Sequence, residues 1–181
     1  MKSTIQKDYY RISGKWEKFP LLKGFINPGF RFIYFLRKSQ QSQSKSPLGI
    51  LYRLMLRYYQ IKYGFQISHK TEIGEGFYLG HWGTVVVNPK AKIGKNCNLA
   101  HGVTIGQTNR GKKQGVPQIG DNVWIGTNAV IVGNIKIGTN VLIAPLTYVT
   151  ENIPDNSIAT GNPMKIFPKD NATDGYLNNT I

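Results

Sequence analysis

Three side chains in this 181-residue sequence can act as proton acceptors near neutral pH without help from their surroundings: His69, His81 and His101. The chemistry they offer is general acid–base catalysis, in which an imidazole takes a proton from a hydroxyl while that oxygen attacks. His81 stands two residues after Leu79, and His101 two residues after Leu99. Whatever places the two leucines equivalently therefore places the two histidines equivalently, one above the other, whereas His69 falls on a different face. Cys97 is the only cysteine, which excludes an intramolecular disulfide and a thiolate metal site built by this chain alone. No activated serine or cysteine motif is present, and no metal-ligand set is assigned.

The element that must position these histidines is written in a six-residue period. A bulky aliphatic residue recurs at Ile67, Ile73, Leu79 and Val85; the phase then slips by two and continues through Val87, Ile93, Leu99 and Ile105. After an interruption it resumes at Ile119, Ile125, Ile131, Ile137, Ile143 and Val149. An α-helix cannot hold such a repeat on one face, because six steps turn it by about 600°. A short strand and a corner, repeated three times per coil, can. Gly74, Gly80, Gly94, Gly106, Gly120, Gly126 and Gly138 each follow a repeat position, where a sharp corner needs glycine. The expected fold is an all-β solenoid, a left-handed parallel β-helix of hexapeptide repeats over 67–167, with a protruding loop at 106–118 and a tail at 168–181. The spacing puts His81 and His101 at one corner of consecutive coils, with Cys97 pointing inward as a buried, inert thiol.

Residues 1–66 lack the period and carry most of the charge, with 13 basic and two acidic side chains within an overall net charge of +14. NPGFRFIYFLRK (27–38) and PLGILYRLMLRYYQIKYG (47–64) read as helices entered after Pro28 and Pro47, joined by the polar connector 39–46. In the second helix Leu51, Leu54, Met55 and Tyr58 share a face flanked by Arg53, Arg57 and Lys62. Two readings of this basic helical appendage stay open: it rests peripherally on an anionic membrane surface, or it caps the first coil and packs between subunits. No nucleic-acid reading motif accompanies the charge, so no nucleic-acid partner is expected. No apolar run reaches the roughly 20 residues of a membrane span, and the start lacks a signal-peptide core. A cytoplasmic protein, with contact at the inner face of the plasma membrane left open, is the expectation.

The segments LGHWGTVVVNPKAKIG (79–94), HGVTIGQT (101–108), IGDNVWIGTNAVIVGNIKIG (119–138) and IPDNSIATGNPMKIF (153–167) resemble the hexapeptide-repeat acyltransferases. Within that superfamily the sequence is similar to serine O-acetyltransferases and, most of all, to the related polysaccharide O-acetyltransferases. The resemblance implies a homotrimer with active sites between subunits and acetyl-CoA as co-substrate. It also implies direct acetyl transfer, with His81 as general base and a backbone N–H stabilising the oxyanion. It assigns Gly106, Thr108, Gly126, Thr127, Ala144 and Pro145 to the pantetheine arm, although the glycines are equally explained as corner residues. Lys165 would meet the nucleotide phosphates. Arg110, Lys112 and Lys113 suit those phosphates, an anionic glycan or a solvated loop.

Departures from the serine-acetyltransferase pattern are specific. Gly80 and Gln66 stand where that family has aspartates, and Val116 stands where it has a second histidine. The expected acceptor is accordingly a carbohydrate, a sugar hydroxyl of a surface polysaccharide or its precursor, with serine as the alternative. A metal-dependent hydratase and a non-catalytic scaffold are further alternatives. With the aspartates gone, His101 or a backbone carbonyl is the expected orienting partner of His81, and Trp82 and Trp124 are either sugar platforms or packing residues.

Overall fold

The computed structural model describes residues 2–17, 21–43 and 45–181. Short parallel strands stack into three ladders that share one interior. The first ladder is β1 (Phe65–Ile67), β4 (Val85–Val87), β7 (Thr104–Gly106), β10 (Val130–Val132) and β13 (Tyr148–Val149). The second is β2 (Glu72–Ile73), β5 (Lys92–Ile93), β8 (Gln118–Ile119) and β11 (Lys136–Ile137). The third is β3 (Tyr78–Leu79), β6 (Asn98–Leu99), β9 (Val123–Ile125), β12 (Val141–Ile143) and β14 (Ser157–Thr160), closed by antiparallel β15 (Lys165–Pro168). The chain is thus an all-β parallel solenoid with an N-terminal helical region. The repeat positions point inward and are buried, Ile73 alone being half-buried beneath the helices. The β-helix opens at Phe65, two residues earlier than the periodicity indicates, because the first inward residue is aromatic rather than aliphatic.

The glycines after the aliphatic positions serve closeness rather than a left-handed backbone. A Cβ on Gly126 would lie 2.6 Å from the Pro145 nitrogen of the next rung, and one on Gly94 would lie 2.5 Å from the Gly120 oxygen. Left-handed corners are instead taken by Asn96, Asn122, Asn140 and Asn156, with φ between 53° and 55°. Asparagine tolerates this conformation. Its amides also bond between rungs, Asn96 Nδ2 to Asn122 Oδ1 at 3.0 Å and Asn140 Nδ2 to Asn156 Oδ1 at 2.7 Å.

Four helices precede the solenoid: α1 (Thr4–Ser13), α2 (Leu21–Gly24), α3 (Pro28–Gln41) and α4 (Pro47–Tyr63). Helix α3 begins at the Asn27 cap with proline in its first turn, and α4 at the Ser46 cap. Helix α3 runs on through Ser39 and Gln40, into the stretch expected to be a connector, because Gln40 Nε2 donates to the Thr71 carbonyl at 3.0 Å. Helix α1 was not legible from periodicity; its signal was the Ser3–Gln6 capping box and the Gly14 terminus. Phe32, Ile33 and Leu36 of α3 cover the open first rung, the Phe32 and Phe65 rings meeting at 5.0 Å. A buried ion pair joins Asp8 of α1 to Arg37 of α3 at 2.8 Å. Arg37 also donates to the carbonyls of Ile73 and Gly74, and Asp8 accepts from the Phe77 N–H at 3.0 Å, so one cluster fastens both helices to the solenoid. Burial pushes the Asp8 carboxyl above the usual carboxylate range, with Arg37 and the Phe77 N–H pulling the other way.

Of the α4 face picked out from the sequence, Leu51, Leu54 and Tyr58 point outward and Met55 inward. Tyr52, Met55, Leu56, Tyr59 and Tyr63 pack on the core, whereas Leu51, Leu54, Tyr58 and Ile61 are exposed. No helix among the described residues is long and apolar enough to cross a membrane.

Candidate active site

The two-residue slip in the repeat marks the site. Leu79 pairs with Leu99 across the third ladder, and Val86 pairs with Thr104 across the first. The first corner between these ladders therefore spends six residues reaching Val85 from Leu79, where the next spends four reaching Val103 from Leu99. The extra residues push out the stretch Gly80–Thr84, which carries His81 and Trp82, both exposed. Gly83, at φ 141°, lets the next rung approach: a Cβ there would lie 3.2 Å from His101 Cβ.

His81 and His101 occupy equivalent places in consecutive rungs, as their spacing indicates, with ring centroids 5.9 Å apart and planes at 90°. The contact is edge-to-face. Among the described residues no hydrogen bond joins the two rings, so His101 meets His81 by packing. Thr127 follows Ile125 by two residues and Pro145 follows Ile143 by two, which continues the same column upward beside Gly126 and Ala144. Leu146 N donates to the Thr127 carbonyl at 2.9 Å, and Asn128 N to the His101 carbonyl at 3.1 Å, tying the rungs of this corner together.

The remaining candidates lie elsewhere. Gly106 and Thr108 sit across the first sheet, at the foot of the 106–118 loop, where Thr108 and Gly115 exchange backbone hydrogen bonds at 3.0 Å in both directions. Lys113 is engaged, donating to the Thr150 carbonyl at 2.7 Å and lying 3.9 Å from Glu151, while Arg110 and Lys112 are exposed. Lys165 is exposed on β15, opposite Thr160. His69 is well away from the histidine pair, beside Gln66, Arg53 and Arg57 in a groove of about 910 Å³ between α4 and the first sheet. Partial burial, with the positive Arg53 and Lys70 nearby, pushes the His69 imidazole below its ordinary value. The three histidines do not converge within one chain. Cys97 is fully buried, its thiol pushed up to about 12 by burial, as an inert core residue should be.

A cavity of about 400 Å³ opens against His81 and His101 on the side of the third sheet. Its other walls are Arg11 and Ile12 of α1, Tyr78, Asn98 and Trp124 of the sheet, and Tyr176, Asn178 and Asn179 of the C-terminal segment. None of these is a carboxylate. The C-terminal wall was not foreseen. After β15 the chain turns back along the third sheet, Thr173 Oγ1 donating to Asn140 Oδ1 at 2.8 Å. The Tyr176 ring lies 4.8 Å from that of Trp124, and Ile181 N reaches Asn96 Oδ1 at 3.1 Å. The asparagine ladder thus serves as a docking strip for the tail. Trp124 is a wall of the cavity, and Trp82 stands apart in solvent, 66 % exposed.

A parallel solenoid of hexapeptide rungs, with two imidazoles on one corner beside a polar cavity, defines a hexapeptide-repeat protein. Residues 117–151 match the family described as bacterial transferase hexapeptide (six repeats), and the resemblance to the hexapeptide-repeat transferases holds. Serine acetyltransferases are among the relatives it meets. The chain is 36 % identical over 105 residues to serine acetyltransferase 4 of Arabidopsis thaliana, covering 58 % of this chain and 30 % of that protein. It is 36 % identical over 107 residues to the serine acetyltransferase of Staphylococcus aureus (strain N315), covering 59 % and 50 %. It thus spans half or less of the length of these relatives. Among solved structures, the Neisseria gonorrhoeae serine acetyltransferase superposes with a TM-score of 0.73 at 26 % identity, over 96 % of this chain and 69 % of that one. The Brucella abortus strain S19 serine acetyltransferase in complex with coenzyme A gives 0.70 at 26 %, over 92 % and 66 %.

Proposed function

We propose that this protein is an acetyl-CoA-dependent O-acetyltransferase in which His81 is the general base. The observation that carries the reading is the widened corner, which projects His81 against His101, beside a polar cavity and below a column of small residues. In the reaction, His81 takes the proton of an acceptor hydroxyl as its oxygen attacks the thioester carbonyl, giving a tetrahedral oxyanion held by a backbone N–H. Collapse breaks the carbon–sulfur bond, the imidazolium returns its proton to the departing thiolate, and the acetyl ester and coenzyme A leave. The small residues Gly126, Thr127, Ala144 and Pro145 suit a slim pantetheine arm along the corner, with Gly106, Thr108 and Lys165 as the further contacts the family pattern supplies.

The relatives support serine as acceptor better than the sugar hydroxyl expected from the sequence. A carbohydrate remains the second reading on two observations: the cavity wall formed by Trp124 and Tyr176, and the want of any carboxylate there to hold an ammonium group. Release of free thiol from acetyl-CoA, measured with L-serine and separately with oligosaccharides of bacterial envelopes, decides between them. Activity with L-serine alone supports the first reading; activity with the glycans alone supports the second; no release with either overturns acetyl transfer.

Assembly as a homotrimer fits the surface. The outward face of the second sheet presents Glu72, Lys92, Gln118 and Lys136, all exposed. The outward face of the first presents Val86, Thr104, Val130 and Val132, all half-buried, with Val86 lining the groove against α4. The groove beside Val86 runs on to the exposed stripe of α4, so a second copy of the chain covers both at once. That occupant is preferred to an anionic membrane because the stripe is continuous with an apolar sheet face, not isolated on the helix. Light scattering coupled to gel filtration should return three times 20.3 kDa, and a monomer would remove the shared groove from the account.

A further inference from the structure

Arg11 is a buried cation with no salt bridge among the described residues, its nearest carboxylate, Asp8, being paired with Arg37. Its side chain sits in the wall of the histidine cavity and the residue is 3 % exposed. Nε donates to the Gly76 carbonyl at 3.1 Å and Nη2 to Asn98 Oδ1 at 2.5 Å, both neutral acceptors. Nη1 takes no hydrogen bond among the described residues. No carboxylate pairs with Arg11: Asp8 is spent on Arg37, Glu75 on Lys7, and the other acidic ion-pair partners lie on other faces. Burying a guanidinium without a counter-ion is costly, and a chain meets that cost only where something else supplies the charge. Burial also weakens the hold of this guanidinium on its proton relative to water, the response expected of a cation awaiting an anion. A guanidinium with a free edge matches a carboxylate or phosphate by paired hydrogen bonds.

We propose that Arg11 binds an anionic group on the acceptor, so that the substrate is a hydroxy acid or hydroxy phosphate whose hydroxyl reaches His81. Arg11 is then a specificity residue of the acceptor pocket. The inference rests on the acetyltransferase reading but narrows it, because the cavity offers a partner for negative charge and none for an ammonium group. L-serine satisfies it through its carboxylate. D-glycerate, which keeps the carboxylate, carries a hydroxyl in place of the amine and has the opposite configuration at that carbon, satisfies the charge requirement as well, and so does an acidic sugar.

The test compares anionic with neutral acceptors of similar size, D-glycerate and glycerol 3-phosphate against D-glyceramide and glycerol, by thiol release from acetyl-CoA. The expected kcat/KM is at least about tenfold higher for an anionic acceptor than for its neutral counterpart, and the carboxylate and phosphate arms show which anion fits. Equal or better turnover of the neutral compounds overturns the proposal while leaving acetyl transfer intact. Arg11→Gln should raise KM for the anionic acceptor by about 10–100-fold with kcat within threefold and KM for acetyl-CoA unchanged, and Arg11→Lys should recover part of the loss. An equal loss for anionic and neutral acceptors would mean that Arg11 is only structural. If Arg11→Gln fails to fold, the wild-type charge comparison decides by itself. If no acceptor releases thiol, the acetyltransferase reading fails separately. Calorimetry of D-glycerate and of inorganic phosphate with the intact protein then tests the anion site directly, and no heat with either overturns it.

Discussion

Replacing His81 by alanine separates chemistry from folding in this molecule. His81 is exposed on a corner loop, makes no hydrogen bond among the described residues and touches His101 through one ring edge at 5.9 Å. Nothing buried is removed, so stability should change by no more than about 0.5 kcal/mol. A positioned general base, by contrast, contributes about 10²–10⁴ in rate, or about 2.7–5.4 kcal/mol of barrier. His81→Ala should therefore lower kcat by at least a hundredfold with an unchanged melting temperature, read by thiol release and by circular dichroism on the same preparation. His101→Ala loses only the ring contact, so its expected loss is smaller, about two- to tenfold, with KM for acetyl-CoA unchanged. A His81→Ala protein that turns over within threefold of the parent would refute the assignment of the base. If His101→Ala proved the more damaging of the two, the roles of the pair would have to be exchanged.

Three further outcomes follow from burial and charge. Asp8→Asn leaves Arg37, 4 % exposed, facing the helices without its partner, and should cost about 3–5 kcal/mol in urea unfolding; a loss below about 1 kcal/mol would show that the clamp is not needed. Cys97 should resist thiol reagents until the protein unfolds. Its proton is held up to about 12 in the fold against about 9 in the open chain, so the two states differ only above pH 9. Stability should then fall by about 1.4 kcal/mol per pH unit between 9 and 12 through this thiol, more steeply than in Cys97→Ala, and parallel slopes would refute the assigned burial. Leu54→Glu on the exposed stripe should break the oligomer in gel filtration, and the parent should not sediment with anionic vesicles at low salt; salt-sensitive sedimentation would instead give the stripe to a membrane.

What was legible in the sequence is what repeats. Six-residue spacing carries the inward residues of every rung, and the 20-residue interval between His81 and His101 carries their stacking, because register in a solenoid is counted along the chain. Even the irregularity was visible: the slip between Val85 and Val87 is the widened corner itself. Features that depend on contacts between distant segments were not legible. The stretch 39–46 looks like a connector because serine and glutamine are polar, yet Gln40 reaches Thr71 and prolongs α3. The α4 face was assigned from its apolar stripe, but that helix is apolar on two sides, and Tyr52, Tyr59 and Tyr63 face inward. The tail gave no signal of its own. Its anchors are the asparagines at 96 and 140, each just before an inward residue, a pattern that could have been counted along with the aliphatic hexad.

The division of labour between the repeat and its appendages explains how one scaffold can keep a reaction and change its acceptor. His81, His101, Thr127 and Pro145 are all placed by rung register, so the base and the path beside it are fixed by the same ladders that hold the core. Every other wall of the cavity beyond the sheet comes from outside the repeat, Arg11 and Ile12 from α1 and Tyr176, Asn178 and Asn179 from the tail. The Asp8–Arg37 clamp fixes α1 from the buried side, which leaves Arg11, three residues on, turned along the sheet toward the histidines. Substitutions in α1 or the tail can therefore alter the charge and shape offered to an acceptor without moving the imidazoles. Gly80, Gln66 and Val116 stand where the serine-acetyltransferase pattern has groups suited to an amino acid, whereas the proposed anion contact, Arg11, lies on α1 outside the repeat. On the proposed reading, the charge at Arg11 is what selects an acceptor with a negative group beside its hydroxyl.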